Sequence, residues 1–140
     1  MPARTVYLIK RIETEITFAM NKVLTKYDVT LAQFIILNFV NDNPTDFSSA
    51  QLSRRFKMTP QSMNETVTTL QKKEMLVKNI DVENKRILRI GLTEKGIQVL
   101  GFCNIAINIL EENLFGNIPT DELATFRKVI GNVLETTRKV

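Results

Sequence analysis

A chain of 140 residues is one domain's worth of polypeptide, enough to bury roughly 68% of the surface its unfolded form exposes. Its 44% hydrophobic and 24% charged residues, with no low-complexity tract, exclude extended disorder. A net charge of +4 permits a polyanionic partner, while one cysteine and no histidine exclude an internal disulfide and remove the usual ligands of a structural zinc site, so neither metal nor other cofactor is expected.

Met1-Pro2-Ala3-Arg4 leads into an amphipathic segment and not into an apolar signal-peptide core, so a cytoplasmic protein is expected. Residues 5 to 26 form the first predicted helix, with Leu8, Ile12, Ile16, Ala19 and Val23 on one face. At about 22 residues it would be roughly 33 Å long, more than a domain this small can cover, so part of it is expected to pack on a partner. Thr30-x-x-Gln33 is a capping box opening a second helix to about Asn41, which carries Leu31, Phe34, Ile35, Leu37, Phe39 and Val40 and is stopped by Asn43-Pro44.

Ser48-x-x-Gln51 is another capping box, starting a short helix that turns Leu52 and Phe56 inward and ends near Lys57, with Arg54, Arg55 and Lys57 beside the turn. The next helix has a full start signal: Thr59 as N-cap, Pro60 at the first helical position, and Met58 and Met63 spaced as a hydrophobic staple. Met63, Val67 and Leu70 make one apolar stripe and leave Gln61, Ser62, Asn64, Glu65, Thr68 and Thr69 off the core. Short amides and hydroxyls are the groups that bond base edges in a major groove. Met75 to Ile80 and Ile87 to Leu92 read as strands, joined by the polar loop Asp81-Val82-Glu83-Asn84-Lys85-Arg86. Helix, turn, helix and hairpin together predict an α+β, mostly helical winged helix-turn-helix.

Past the hairpin, Thr93 is expected to cap a helix to Leu114 that is apolar on nearly every side between Ile97 and Leu110. Such a helix must be buried all round, yet it is too short and too polar to span a membrane, so a second subunit is inferred and no membrane partner. After Gly116-Asn117-Ile118-Pro119, Thr120 is expected to cap a last helix with Leu123, Phe126, Ile130, Val133 and Leu134 on one side. The chain is thus expected to be one domain, with 1–28 and 97–140 as N- and C-terminal dimerisation helices around a 29–96 DNA-binding module.

Charge follows the same division. Between Asp46 and Gly96 lie ten basic and six acidic residues, and outside it nine of each sign, so the whole excess falls in the winged module, as a phosphate binder requires.

Thr30-Leu31-Ala32-Gln33, Ser48-Ser49-Ala50-Gln51-Leu52, Lys72-Lys73-Glu74-Met75-Leu76-Val77, and Asn84-Lys85-Arg86 followed by Leu92-Thr93-Glu94-Lys95-Gly96 resemble the MarR family of bacterial transcription regulators. The resemblance is close over roughly residues 30 to 96. It implies a homodimeric repressor of a pseudo-palindromic operator in double-stranded DNA, its two recognition helices about one helical turn, roughly 34 Å, apart. It also implies a small-molecule effector, held between the terminal helices and the DNA module, that favours another spacing. Arg86 matches the family's minor-groove arginine, and Asn84 stands where the family usually has the aspartate that orients it. The DNA-binding set is then Ser48, Arg54, Thr59, Gln61, Ser62, Asn64, Glu65, Thr68, Lys72, Lys85 and Arg86. Glu65 departs from the basic or small polar residue usual there, and is expected either to accept from a cytosine amine or to be held by Arg54 or Arg55.

Glu65 and Asn84 leave an alternative open, a winged-helix protein-interaction scaffold with weak or no DNA binding. Catalysis finds no support: there is no histidine, no G-x-S-x-G and no phosphate loop, so the chain is not expected to be an enzyme. Cys103, set among Phe102, Ile105 and Ile107, is expected to be buried and inert.

Overall fold

Side-chain caps set the starts of the middle helices of the chain. In the computed structural model, which describes residues 4–43, 47–80, 82–84 and 88–140, the first helix α1 runs Thr5–Leu24 and continues into a tighter 3-10 turn, Thr25–Tyr27. The expectations placed on Lys85 and Arg86, and on Pro44 as a helix stop, lie outside the described residues. Helix α2, Leu31–Asp42, starts at the predicted box: Thr30 Oγ1 accepts from the Gln33 N–H at 3.1 Å while Thr30 N–H donates to Gln33 Oε1 at 3.1 Å. Helix α3, Ser49–Arg55, repeats the device with Ser48 and Gln51. Helix α4, Pro60–Lys72, is capped by Thr59 Oγ1, which accepts from the Ser62 N–H at 3.0 Å, with proline in its first turn.

Strands β1, Leu76–Ile80, and β2, Leu88–Leu92, pair antiparallel in a register that sets Leu76 opposite Leu92 and Ile80 opposite Leu88. The bridge Ser48–Arg89 and the bond from Ile90 N–H to the Phe47 carbonyl at 3.0 Å tie the segment before α3 to the outer edge of β2. The helices α5, Glu94–Phe115, and α6, Thr120–Thr137, complete the chain. At α6 the expected cap moves by one residue: Pro119, with φ −53° and ψ 140°, holds the non-helical N-cap position and Thr120 is the first helical residue. Proline's fixed φ suits that last extended position, so no side-chain cap forms.

Three helical runs end on a residue in the left-handed region, Asp28 (φ 59°), Lys57 (φ 53°) and Glu74 (φ 61°), none of them glycine. Each is followed by an apolar residue whose N–H reaches back to a carbonyl of the preceding turn: Val29 to Leu24, Met58 to Ser53, and Met75 to Leu70. Those apolar residues pack into or against the core, which holds the strained residue in place of the usual glycine.

The chain forms two compact units, Met1–Ile107 and Asn108–Val140. The first has one core, in which Leu24, Leu37, Leu52, Met63, Leu70 and Ile90 are fully buried, each contributing about 1.5–3 kcal/mol by burial. Cys103 is buried there too, and burial pushes its thiol pKa up, so it behaves as a small hydrophobe. Apolar surface remains exposed on α1 at Val6, Leu8, Ile9 and Ile12 and on α5 at Ile97, Phe102 and Ile105. In the second unit α6 has no buried residue, and Phe126, Ile130, Val133 and Leu134 are open to solvent. One chain therefore does not give α5 and α6 the cover their sequences ask for. Among the described residues no single helix is long and apolar enough to cross a membrane.

Candidate nucleic-acid interface

The presentation of α4 starts with the elements beneath it. Phe39 of α2 receives the edges of Phe47 and Phe56, at ring-centroid separations of 4.8 and 5.1 Å, and the Arg55 guanidinium lies 5.5 Å from its ring. This cluster seats α3 on α2 through both flanks. The turn at Lys57 then delivers Met58 to the core, and the Thr59 cap starts α4. Met63, Val67 and Leu70 are fully buried, so this 13-residue helix cannot roll, and its opposite face is held outward.

That face gathers a continuous strip. Gln61, Asn64, Glu65, Thr68, Thr69 and Lys72 line a surface depression of about 270 Å³. A second depression, about 430 Å³, continues from Gln61 and Asn64 over Pro60 to Ser49 and Ala50 at the start of α3. The structure therefore brings together five of the predicted residues, Gln61, Asn64, Glu65, Thr68 and Lys72. Thr59 and Ser62 stand beside the strip and are tied to each other: the Thr59 hydroxyl donates to Ser62 Oγ at 2.9 Å as well as capping Ser62 N–H. Arg54 is exposed on the last turn of α3.

Ser48 belongs to another network. Its N–H and hydroxyl donate to Gln51 Oε1 at 2.9 and 3.2 Å, and Arg89 Nη1 donates to the same oxygen at 2.9 Å. Arg89 of β2, which was not among the candidate residues, thus joins the hairpin to the start of α3. In the wing Val82, Glu83 and Asn84 are exposed, Val82 almost completely at 96%.

Glu65 has a different companion from the one expected. Gln61 Nε2 donates to Glu65 Oε1 at 3.4 Å, while Arg55 turns to the Phe39 and Phe56 rings. Among the described residues no ion pair joins Glu65 to either arginine; the reason is that aromatic faces on the core side of α3 compete for Arg55. A bond at 3.4 Å is long, so the carboxylate remains available to a stronger donor. Glu65→Gln is expected to lose roughly 1–3 kcal/mol of discrimination at a single cytosine position, read by duplex selection before and after the change. Uniform tightening on every sequence would instead make Glu65 only a repeller of phosphate.

A MarR-family sequence model matches residues 27–87. The chain is 22% identical over 124 residues to an HTH-type transcriptional repressor of Mycobacterium tuberculosis, covering 89% of this chain and 88% of the relative. Among solved structures it is similar to the Staphylococcus aureus MepR–DNA complex, with TM-score 0.82, 18% identity, and 96% of each chain covered. It is also similar to CouR from Rhodococcus jostii RHA1 bound to p-coumaroyl-CoA, with TM-score 0.79, 16% identity, and 91% and 89% covered. The matched residues run from the end of the 3-10 turn through α2, α3, α4 and β1 into the wing, a little under half of the chain, and over that stretch the chain is similar to the MarR family.

Proposed function

We propose that the protein is a sequence-specific double-stranded DNA-binding transcriptional repressor, a homodimer on a pseudo-palindromic operator that responds to a small-molecule effector. The observation that carries this reading is the polar strip of α4, held outward by a fully buried stripe on the opposite side of the same helix. Gln61 and Asn64 supply the amides that bond base edges, and Thr68 and Lys72 extend the contact along the groove. Ser48, Arg54, Thr59 and Ser62 lie where α3 and the start of α4 meet the backbone, and Lys85 and Arg86 in the wing reach the minor groove. The regions 1–28 and 97–140 serve as dimerisation helices around the 29–96 module. The apolar surface left open on α1, α5 and α6 supports that assignment. MepR has been seen with DNA and CouR with an acyl-CoA, which favours the same two classes of partner here. On this reading the protein works in the cytoplasm and is a regulator, not an enzyme.

Titration of labelled duplexes across a range of salt concentrations tests it. Binding is expected to weaken linearly in log salt, and selection from a randomised duplex pool is expected to return a two-fold symmetric site. Arg86→Ala should weaken all sequences about equally and lower the salt slope by about one unit. A change in which sequence is preferred would reverse the division between wing and helix. Absence of salt-sensitive duplex binding would leave the protein-interaction scaffold as the better reading.

A further inference from the structure

Adjacent lysines at the end of α4 have opposite surroundings. Lys72 is exposed and lines the polar strip. The Lys73 side chain is only 22% exposed, and its ammonium donates to the Asp28 carbonyl at 2.6 Å and to Gln33 Oε1 at 3.0 Å, with Asp28 Oδ1 at 3.6 Å. We propose that Lys73 is a positioning residue for DNA binding, fixing the tilt of the recognition helix against α1 and α2 without touching the duplex. The inference rests on the DNA-binding reading above and adds to it a residue outside the contact surface.

The chemistry of the junction supports this role. Asp28 is the left-handed residue that ends the α1 run, so its carbonyl lies at the negative end of a helix, where a cation is favoured. Gln33 Oε1 already closes the α2 capping box by accepting from Thr30 N–H, and the ammonium adds a second donor to that oxygen. Two of the lysine's three donors are bonded here, and the Asp28 carboxylate lies at ion-pair distance from the same ammonium. One side chain thus ties together the end of α1, the start of α2 and the end of α4. Elsewhere α4 is held by its Thr59 cap, by the Thr93 hydroxyl on the Glu74 carbonyl just past its end, and by apolar contacts, which stop it rolling but constrain its tilt less. With 13 residues the helix is roughly 20 Å long, so a tilt of about 5° about one end moves the other by about 1.7 Å. A shift of that size breaks hydrogen bonds to base edges. Because the Asp28 carboxylate is largely exposed, its ion pair with Lys73 contributes little to global stability, and the junction rests on the two hydrogen bonds.

Lys73→Met keeps the apolar stem and removes the ammonium. Its affinity for a duplex selected by the unaltered protein is expected to fall by about tenfold, with the slope of log K against log salt unchanged. Lys72→Met, measured in parallel, should lower that slope by about one unit. Amide exchange should quicken at Lys73, Glu74 and Met75 in Lys73→Met, while Leu37 and Val40 in the core keep their protection. A slope lowered by one in Lys73→Met would make Lys73 a phosphate contact, and unchanged affinity would remove its positioning role; either overturns the proposal. If the unaltered protein shows no salt-sensitive duplex binding, the DNA-binding reading fails by itself. Exchange then decides the junction alone, and unchanged exchange at Lys73–Met75 overturns the inference.

Discussion

Alanine at Gly96 is expected to destabilise the protein by about 3 kcal/mol and to lower its melting temperature by roughly 10 °C. The cause is a close approach of backbones. Thr93 N–H donates to the Met75 carbonyl at 3.1 Å, the Thr93 hydroxyl donates to the Glu74 carbonyl, and the same hydroxyl accepts from Gly96 N–H at 3.0 Å. Thr93 therefore caps α5 while fastening it to the end of α4, and Gly96 lies directly over Met75. A Cβ built at Gly96 would penetrate the van der Waals surface of the Met75 carbonyl oxygen, and backbone on both sides leaves nothing flexible to give way. Alanine would bring a helix-propensity gain of about 1 kcal/mol, too small to offset that clash. Calorimetry or urea unfolding reads the result. An alanine variant as stable as the natural protein would mean that α5 is not docked on Met75.

The Leu92-Thr93-Glu94-Lys95-Gly96 run shows how much was legible and why. Thr93 as a cap can be read from the sequence because a cap acts within four residues, and so can Thr30, Ser48 and Thr59, each of which accepts from the backbone N–H three residues on. The apolar stripe of α4 is equally local, and Met63, Val67 and Leu70 are buried as its spacing predicts. What Gly96 meets was not legible, since Met75 reaches it only through the pairing of β1 with β2. Helix ends were harder still. Glycine normally marks a left-handed terminus, and here Asp28, Lys57 and Glu74 occupy that conformation, held by the burial of the residue that follows. The side-chain bridges from Arg89 to Gln51 and from Lys73 to Gln33 join residues 38 and 40 positions apart, beyond any local pattern. Of the candidate site, the strip on α4 was legible as a face, whereas the supports that aim it were not.

Glutamate at Ile105 is expected to turn the protein into a monomer at micromolar concentration and to reduce operator affinity by about 10²–10⁴-fold through loss of bivalency. Ile105 is 60% exposed on α5 in the single chain, so a carboxylate there would stay hydrated and cost a lone subunit almost nothing. If α5 packs against a second copy, the same carboxylate loses its water. Two-fold symmetry places it in the interface twice, at roughly 3–5 kcal/mol for each unpaired charge. The size of the response therefore reports burial by a partner and not the integrity of the chain's own core. Ile107→Glu cannot make that distinction, because Ile107 packs against the core of its own subunit and a charge there disturbs folding as well as assembly. Sedimentation gives the subunit count, and binding to a duplex carrying one half-site shows whether the winged module is still folded. An Ile105→Glu protein that stays dimeric with unaltered operator affinity would place the interface elsewhere than on this face of α5. A monomer that retains half-site binding, with a salt slope about half that of the dimer on its full site, is the result expected of a protein that reads DNA with two copies of one helix.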